Sequence, residues 1–239
     1  MLFRSLMTAI IDIHDLSFSY PDGRQAIKNI TLRIQTGEKV VLMGPNGAGK
    51  STLLYHMNGV LTGTGKIIIK GYEVKENLSF VRSLVGLIFQ NPDDQLFSTT
   101  VFEDVAFGLI YQGLDINLVS ERVKLALEVV QMAGSEDRNP YHLSTGEKKR
   151  IAIATVLSMH PEILILDEPT AGLDPRGKRE FIELLKKLPQ TMLIATHDLD
   201  LAEKVSERII LISDGHIRAD GSTKDILLNK DLLEKHGLY

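Results

Sequence analysis

Apolar and polar residues alternate near the start of the chain, which is the pattern of strands with one buried face. Apolar residues occupy near-alternating positions over Ile11–Tyr20, and the turn sequence Pro21–Gly23 follows them. Strict alternation resumes over Ile30–Ile34 and ends before Gly37. We therefore expect two antiparallel strands joined by a turn in this part of the chain.

Three later segments are continuously apolar rather than alternating: Val40–Met43, Ile163–Leu166 and Met192–Ala195. Runs of this kind are typical of strands that helices cover on both faces, as in a parallel α/β sheet. Near the end of the chain, Asp214-Gly215 predicts a hairpin turn between two further short strands.

Residues 91–159 carry helical signals instead. Apolar residues from Val119 to Val130 recur at helical spacing, and Thr100 with Glu103 forms a capping box that opens another helix. Phe181–Leu188 predicts a further amphipathic helix. We predict one domain over residues 1–239 of the α/β class, with a mainly parallel sheet, an N-terminal antiparallel β subdomain and an α-helical subdomain inserted at approximately 91–159.

Composition narrows the classes of function. The 239 residues include no cysteine, which excludes a disulfide framework, a cysteine nucleophile and a thiolate metal site. A formal net charge of −4 argues against nucleic acid as the main ligand. The opening Met1–Met7 is too short and too weakly apolar for a signal peptide, and no apolar run approaches the length of a membrane span. We expect a cytoplasmic location.

The glycine-rich segment Gly44–Ser51 follows the run Val40–Met43 and precedes a helical stretch. Its glycines and the Lys50-Ser51 pair match the pattern of a phosphate-binding loop in the expected strand–loop–helix context. Its glycines allow backbone N–H groups to surround phosphates, and the helix N-terminus favours the same anions. Lys50 is expected to reach the β- and γ-phosphates of a bound nucleotide, and the Ser51 hydroxyl is expected to hold Mg²⁺. The expected nucleotide-binding residues here are Gly44, Pro45, Asn46, Gly47, Ala48, Gly49, Lys50, Ser51 and Thr52.

Two consecutive carboxylates, Asp167 and Glu168, end the apolar run Ile163–Leu166. An aspartate at the end of such a strand can hold the Mg²⁺ shell through water. Glu168 points to the other face of the chain and can orient and deprotonate an attacking water. A surface acidic pair at a strand end is the alternative interpretation.

The phosphate loop, the Asp167-Glu168 strand and the segment Leu143–Glu147 together resemble the ATP-binding subunit of ABC transporters, over essentially the whole chain. The resemblance implies an ATPase that uses ATP and Mg²⁺. It also implies roles for four single positions. These are Tyr20, which would stack on adenine; Gln90, which would contact Mg²⁺ and the membrane partner; Asp174, which would act across a dimer; and His197, which would contact the γ-phosphate.

Each of these four residues also has a purely structural interpretation. Tyr20 fits a half-buried strand aromatic, Gln90 a polar loop residue and His197 a histidine satisfied within the fold. Asp174 fits a turn cap before Pro175.

The segment Leu143–Glu147 predicts a helix start, because Ser144 and Glu147 form a capping box. The resemblance implies that Ser144 and Gly146 of one subunit close on the γ-phosphate held by a second, in a homodimer or a heterodimer with another ATP-binding subunit. This segment departs from the usual family pattern, since Thr145 replaces a glycine and Glu147 replaces a glutamine. We expect the basic run Lys148–Arg150 to offset the added negative charge.

The resemblance implies a mechanism in which two subunits sandwich two ATP molecules. Glu168 activates water, Lys50 stabilises the developing charge with Mg²⁺, and His197 holds the γ-phosphate. The stretches Phe89–Phe97 and Val105–Gly108 resemble the energy-coupling-factor ATPases. Such ATPases power uptake through integral-membrane subunits, and the implied location is peripheral, on the cytoplasmic side of the cell membrane.

The cargo is less well defined than the reaction. Gly146–Arg150 resembles the cobalt and nickel members of this group, and a vitamin is the alternative cargo. A soluble ABC ATPase acting on DNA or ribosomes is a further alternative, against which the single cassette, the lack of sustained heptads and the acidic charge argue. A phosphate-loop GTPase is disfavoured because Leu232 stands where the guanine-reading motif needs an aspartate.

Overall fold

The computed structural model describes residues 9–238, so the expectation about a signal peptide at Met1–Met7 lies outside the described residues. Its strands form two sheets. The first is antiparallel, in the order β2-β1-β4-β5, and the second is mostly parallel, in the order β10-β9-β3-β8-β7-β6. The strands are β1 (Ala9–Ser19), β2 (Gln25–Gln35), β3 (Lys39–Met43), β4 (Thr64–Ile69), β5 (Tyr72–Glu73), β6 (Val85–Ile88), β7 (Ile163–Asp167), β8 (Thr191–Thr196), β9 (Arg208–Ser213) and β10 (His216–Ser222).

The helices lie between these strands and after the last one. They are α1 (Lys50–Met57), α2 (Leu78–Leu84), α3 (Val101–Tyr111), α4 (Ile116–Val129), α5 (Thr145–Leu157), α6 (Pro175–Lys187), α7 (Leu199–Val205), α8 (Thr223–Leu228) and α9 (Lys230–Lys235). Short 3₁₀ turns occur at Pro92–Asp94 and Pro140–His142. None of the helices within residues 9–238 is both long and apolar enough to cross a membrane.

The predicted α/β class with its antiparallel subdomain is confirmed. β1 pairs with β2 antiparallel, and β3, β7 and β8 are adjacent parallel strands. The Asp214-Gly215 turn joins β9 and β10 as expected. The boundaries of the helical insert stay a prediction, because α5 shares a hydrophobic core with the parallel sheet.

The continuous apolar runs are explained by two cores on opposite faces of the parallel sheet. Val41 and Met43 belong to the core formed with the helical segment. Val40 and Leu42 belong to the core formed with the antiparallel sheet and α1. Because side chains alternate between the two faces of a strand, both faces of β3 require apolar residues.

The edge strand β6 was not predicted from the sequence. It contains Gly86, and a Cβ atom at that position would lie 2.9 Å from the Cβ of Val156 in α5. The glycine therefore allows α5 to pack directly on the strand, while it weakens the strand pattern in the sequence.

The parallel strands place three loops at one edge of the sheet. β3 leads into the phosphate loop, β7 ends at Asp167, and β8 is followed by His197. Carboxyl ends of neighbouring parallel strands are the usual ligand site in α/β folds.

Candidate active site

The phosphate loop wraps around the side chain of Lys50, the first residue of α1. Gly47 and Gly49 have φ angles of 79° and 104°, a region that side chains rarely adopt. A Cβ atom on Gly49 would also lie 2.5 Å from the carbonyl oxygen of Ala26. Lys50 Nζ donates to the carbonyl oxygens of Gly44, at 2.7 Å, and Pro45, at 3.2 Å. The loop is therefore shaped by its glycines and held together by the lysine.

Glu168 is the buried centre of a polar cluster that also includes the exposed side chain of His197. Its side chain accepts from Thr196 Oγ1 at 3.0 Å and from His197 Nδ1 at 2.9 Å, and Lys50 Nζ lies 3.6 Å from Oε1. The residue is 7% exposed and has a φ of 42°. This left-handed conformation is strained for a residue with a side chain, and such strain is concentrated at functional sites.

Asp167 lies beside Glu168 and faces α1. Tyr55 donates its hydroxyl to Oδ2 at 3.3 Å, while the buried Oδ1 has no hydrogen-bond partner among the described residues. Burial raises the pKa of the Asp167 carboxyl, and a hydrogen bond from Ser51 opposes that shift. Asp167 also makes the hydroxyl of Tyr55 harder to ionise, since burial and this carboxylate raise the pKa of Tyr55 to about 12. A buried carboxylate oxygen that accepts no hydrogen bond is suited to accept one from a water ligand of a metal ion, and the Ser51 hydroxyl lies beside it.

A cavity of about 440 Å³ joins most of the predicted nucleotide-binding residues. The Tyr20 hydroxyl lies 2.9 Å from Thr52 Oγ1. Gln90 and His197 line the same cavity as the phosphate loop. The predicted residues that line this cavity are Tyr20, Asn46, Gly47, Gly49, Lys50, Ser51, Thr52, Gln90, Glu168 and His197.

Two regions that the sequence did not predict also line this cavity. Arg24 places its guanidinium 4.9 Å from the centre of the Tyr20 ring. The hairpin turn is held against the cavity by two hydrogen bonds. Gly215 N–H donates to Ala48 O at 3.1 Å, and Lys28 N–H donates to Gly215 O at 2.9 Å. The unpredicted lining residues are Arg24, Gln25, Ala26, Lys28, Asp214 and Gly215.

Ser144, Gly146 and Asp174 do not line the nucleotide cavity of their own chain. They line a separate cavity of about 420 Å³ between the starts of α5 and α6. Ser144 caps α5 as predicted, and Asp174 accepts from Gly177 N–H at 2.6 Å and so caps α6. A site completed by a second subunit requires that these three residues lie apart from the nucleotide cavity of their own chain.

The charge of Glu147 is balanced by a residue other than those predicted. Arg138 donates to Glu147 Oε1 at 2.7 Å, and the Ser144 amide and hydroxyl donate to Oε2 at 2.8 Å. These hydrogen bonds, led by that of Arg138, lower the pKa of Glu147 to about 2. The expectation that the run Lys148–Arg150 offsets this charge is wrong.

The three basic residues of that run are used elsewhere. Lys148 pairs with Asp93, and Arg150 pairs with Glu180. Lys149 is buried and donates to main-chain carbonyl oxygens. Arg150 lies three positions after Glu147 and lines the same cavity, but its guanidinium donates to Glu180.

A strand, a glycine-rich loop and a helix that hold a buried lysine beside an Asp-Glu pair define a phosphate-loop nucleoside triphosphatase. Comparison with known proteins shows which family of phosphate-loop nucleoside triphosphatases this chain belongs to. The model of the ABC transporter family matches residues 27–171, more than half of the chain.

Curated relatives cover nearly the whole chain. A putative ABC transporter ATP-binding protein from Methanothermobacter marburgensis is 52% identical over 231 residues, or 94% of this chain and 83% of the relative. The energy-coupling factor transporter ATP-binding protein EcfA from Methanothermobacter thermautotrophicus is 47% identical over 236 residues, or 96% of this chain and 76% of the relative.

Solved structures agree with these relatives. CbiO1 from Clostridium perfringens, part of the ABC transporter complex cbiONQ, has a TM-score of 0.84 and 37% identity, covering 96% of this chain and 95% of that one. A dimeric ATP-binding cassette bound to ADP and Pi has a TM-score of 0.81 and 29% identity, covering 89% of this chain and 98% of that one. The chain belongs to the ABC transporter family, and it is an ATP-hydrolysing subunit of the energy-coupling-factor type.

Proposed function

We propose that this ATPase powers the uptake of cobalt or nickel through integral-membrane subunits, from a peripheral position on the cytoplasmic side of the membrane. The ATPase activity in this proposal is supported by the buried Glu168 carboxylate, which His197, Thr196 and Lys50 surround. The metal cargo is supported by the likeness to CbiO1 and by the resemblance of Gly146–Arg150 to the cobalt and nickel members.

Glu168 is the general base in this proposal. It accepts a proton from the water that attacks the γ-phosphate, and Thr196 keeps the second carboxylate oxygen in place. Lys50 forms an ion pair with Glu168, and His197 donates a hydrogen bond to it. Both groups line the cavity and would donate to the γ-phosphate of bound ATP. Lys50 then stabilises the charge that develops on the transferred group.

Mg²⁺ fits the residues beside the phosphate loop. The Ser51 hydroxyl, Gln90 and Asp167 would hold it, with Asp167 acting through water. The unpartnered Oδ1 of Asp167 supports this assignment. When bound, the ion neutralises charge on the β- and γ-phosphates. Tyr20 would support the adenine ring, with Arg24 beside it.

The second ATP-binding subunit contributes Ser144, Gly146 and Asp174 to each nucleotide. The support for this is their position in a cavity of their own, away from the phosphate loop of the same chain. Arg138 supports the same role, because it neutralises Glu147 at the end of α5 that approaches the phosphates. The dimeric solved cassettes are consistent with this arrangement. The second subunit is a copy of this chain or a paralogue.

The surface beside the Gln90 loop supports a membrane partner. Phe97 and Phe107 are exposed, and their rings meet edge to face with centres 5.0 Å apart. Ile110 and Tyr111 extend this exposed apolar area along α3. Exposed apolar patches of this kind mark interaction sites in soluble proteins.

Uptake of labelled cobalt and nickel tests the proposal. Cells that express this chain together with integral-membrane subunits that form a complex with it are compared with cells that express the Glu168→Gln variant in the same complex. We expect metal uptake with the wild-type chain and none with the variant, because Glu168→Gln removes the base. Uptake of a vitamin but of neither metal, by a complex that assembles and hydrolyses ATP, would overturn the metal assignment.

A further inference from the structure

Lys149 differs from its neighbours on α5 in having its charged end buried. The residue is 4% exposed, and burial lowers the pKa of its ammonium group to about 8. The adjacent Lys148 reaches an exposed carboxylate, that of Asp93, at 2.6 Å. A buried ammonium group is unfavourable unless it is well paired, so its position needs a specific reason.

The ammonium group connects two catalytic loops. Lys149 Nζ donates to Gln90 O at 3.2 Å and to Glu168 O at 3.3 Å. Gln90 follows β6 and Glu168 follows β7, and these strands are neighbours in the sheet. A side chain from α5 therefore joins both loops through their main chains.

The contact with Glu168 holds a residue whose backbone is strained. The φ angle of Glu168 is 42°, and its N–H donates to Ala195 O at 2.9 Å. β8 thus holds the amide side of the residue, and Lys149 holds the carbonyl side. Together they fix the direction in which the Glu168 carboxylate leaves the chain, toward Lys50 and His197.

We propose that Lys149 is a positioning residue that couples the start of α5 to the geometry of Glu168 and Gln90. Ser144 and Gly146 lie on the same helix start, so a movement of α5 on closure of the dimer is transmitted through Lys149 to the general base. This inference rests on the proposed role of Glu168. It adds a connection between the surface that meets the second subunit and the group that activates water.

The Lys149→Met variant tests this connection. Methionine fills a similar volume and removes the N–H donors. We expect kcat for ATP hydrolysis to fall about 10- to 100-fold, since small displacements of a catalytic group have effects of that size. The KM for ATP should stay near the wild-type value, because Lys149 does not line the nucleotide cavity. The thermal unfolding midpoint should stay near the wild-type value, because the desolvation cost of the buried ammonium group that the variant no longer has offsets the two lost hydrogen bonds.

Two further variants complete the test. Lys148→Met removes the neighbouring lysine, whose ammonium group pairs with the exposed side chain of Asp93. It leaves the hydrogen bonds to the main-chain oxygens of Gln90 and Glu168 in place and should keep the wild-type kcat. Lys149→Gln retains an amide donor and should recover part of the lost rate. A wild-type kcat in Lys149→Met, or a fall in kcat matched by a fall in thermal stability, would overturn the inference. If Glu168→Gln itself hydrolyses ATP normally, the proposed general base is wrong, and that result is distinct from failure at Lys149.

Discussion

The Glu168→Gln variant should hydrolyse ATP about 10²- to 10⁴-fold more slowly than the wild-type chain, which is the usual loss when a general base is removed. Glutamine keeps the size of the side chain, and its single amide oxygen can still accept the hydrogen bond from either Thr196 or His197. The loss should therefore come from the chemical step. ATP should still bind, because the phosphate loop is unchanged.

Phosphate release and fluorescent-nucleotide titration measure these two properties separately. Glu162→Gln is the matched control. Glu162 lies just before β7, at the opposite end of the strand from Glu168, and forms an exposed ion pair with Lys70. The control should keep the wild-type rate. Normal turnover in Glu168→Gln would contradict the assignment of Glu168 as the general base.

The Lys50→Ala variant should bind ATP about 10- to 100-fold more weakly. A hydrogen bond to a charged group contributes about 1.5–3 kcal/mol, and about 1.4 kcal/mol corresponds to a factor of ten in affinity. Lys50 also holds the Gly44 and Pro45 carbonyls, so the loop itself loses support. The affinity for both ATP and ADP should fall.

Lys39→Ala is the matched control in the same titration, because it also removes a lysine that donates to main-chain carbonyls. Lys39 also donates to two main-chain carbonyls, those of Leu185 and Lys186, but it lies at the other end of β3, away from the nucleotide cavity. Its replacement should leave ATP affinity unchanged. Equal affinity in Lys50→Ala and the wild type would contradict the role of the phosphate loop.

The residues of the site differ in how well the sequence predicts them, for physical reasons. The phosphate loop is predictable because its function depends on a local backbone shape that glycines at fixed spacing produce. Arg24 and Gly215 are not predictable in this way, since they reach the cavity only through strand pairing and a hairpin distant in the chain.

Side-chain partners are harder to predict than elements. The start of α5 is predictable from its capping box, but the partner of Glu147 is not. Sequence proximity favours Lys148–Arg150, whereas the packing of the preceding loop brings Arg138 to the carboxylate. The role of Lys149 is hidden for the same reason, because its two partners come from loops that only the sheet brings together.

The central claim is that each ATP is bound by the phosphate loop of one chain and the α5 start of another. Mixing two inactive variants tests it most directly. Lys50→Ala disables the phosphate loop, and Gly146→Asp places a negative charge at the α5 start. The helix start tolerates a Cβ atom at this position, which would lie 3.7 Å from Leu173, an ordinary contact.

Each variant alone should hydrolyse little ATP. A mixed dimer has one complete site, formed by the intact phosphate loop of one chain and the intact α5 start of the other. The account predicts that ATPase activity of the mixture rises well above the sum of the separate variants. A mixture no more active than that sum, under conditions where the wild-type chain hydrolyses ATP, would contradict the two-chain site.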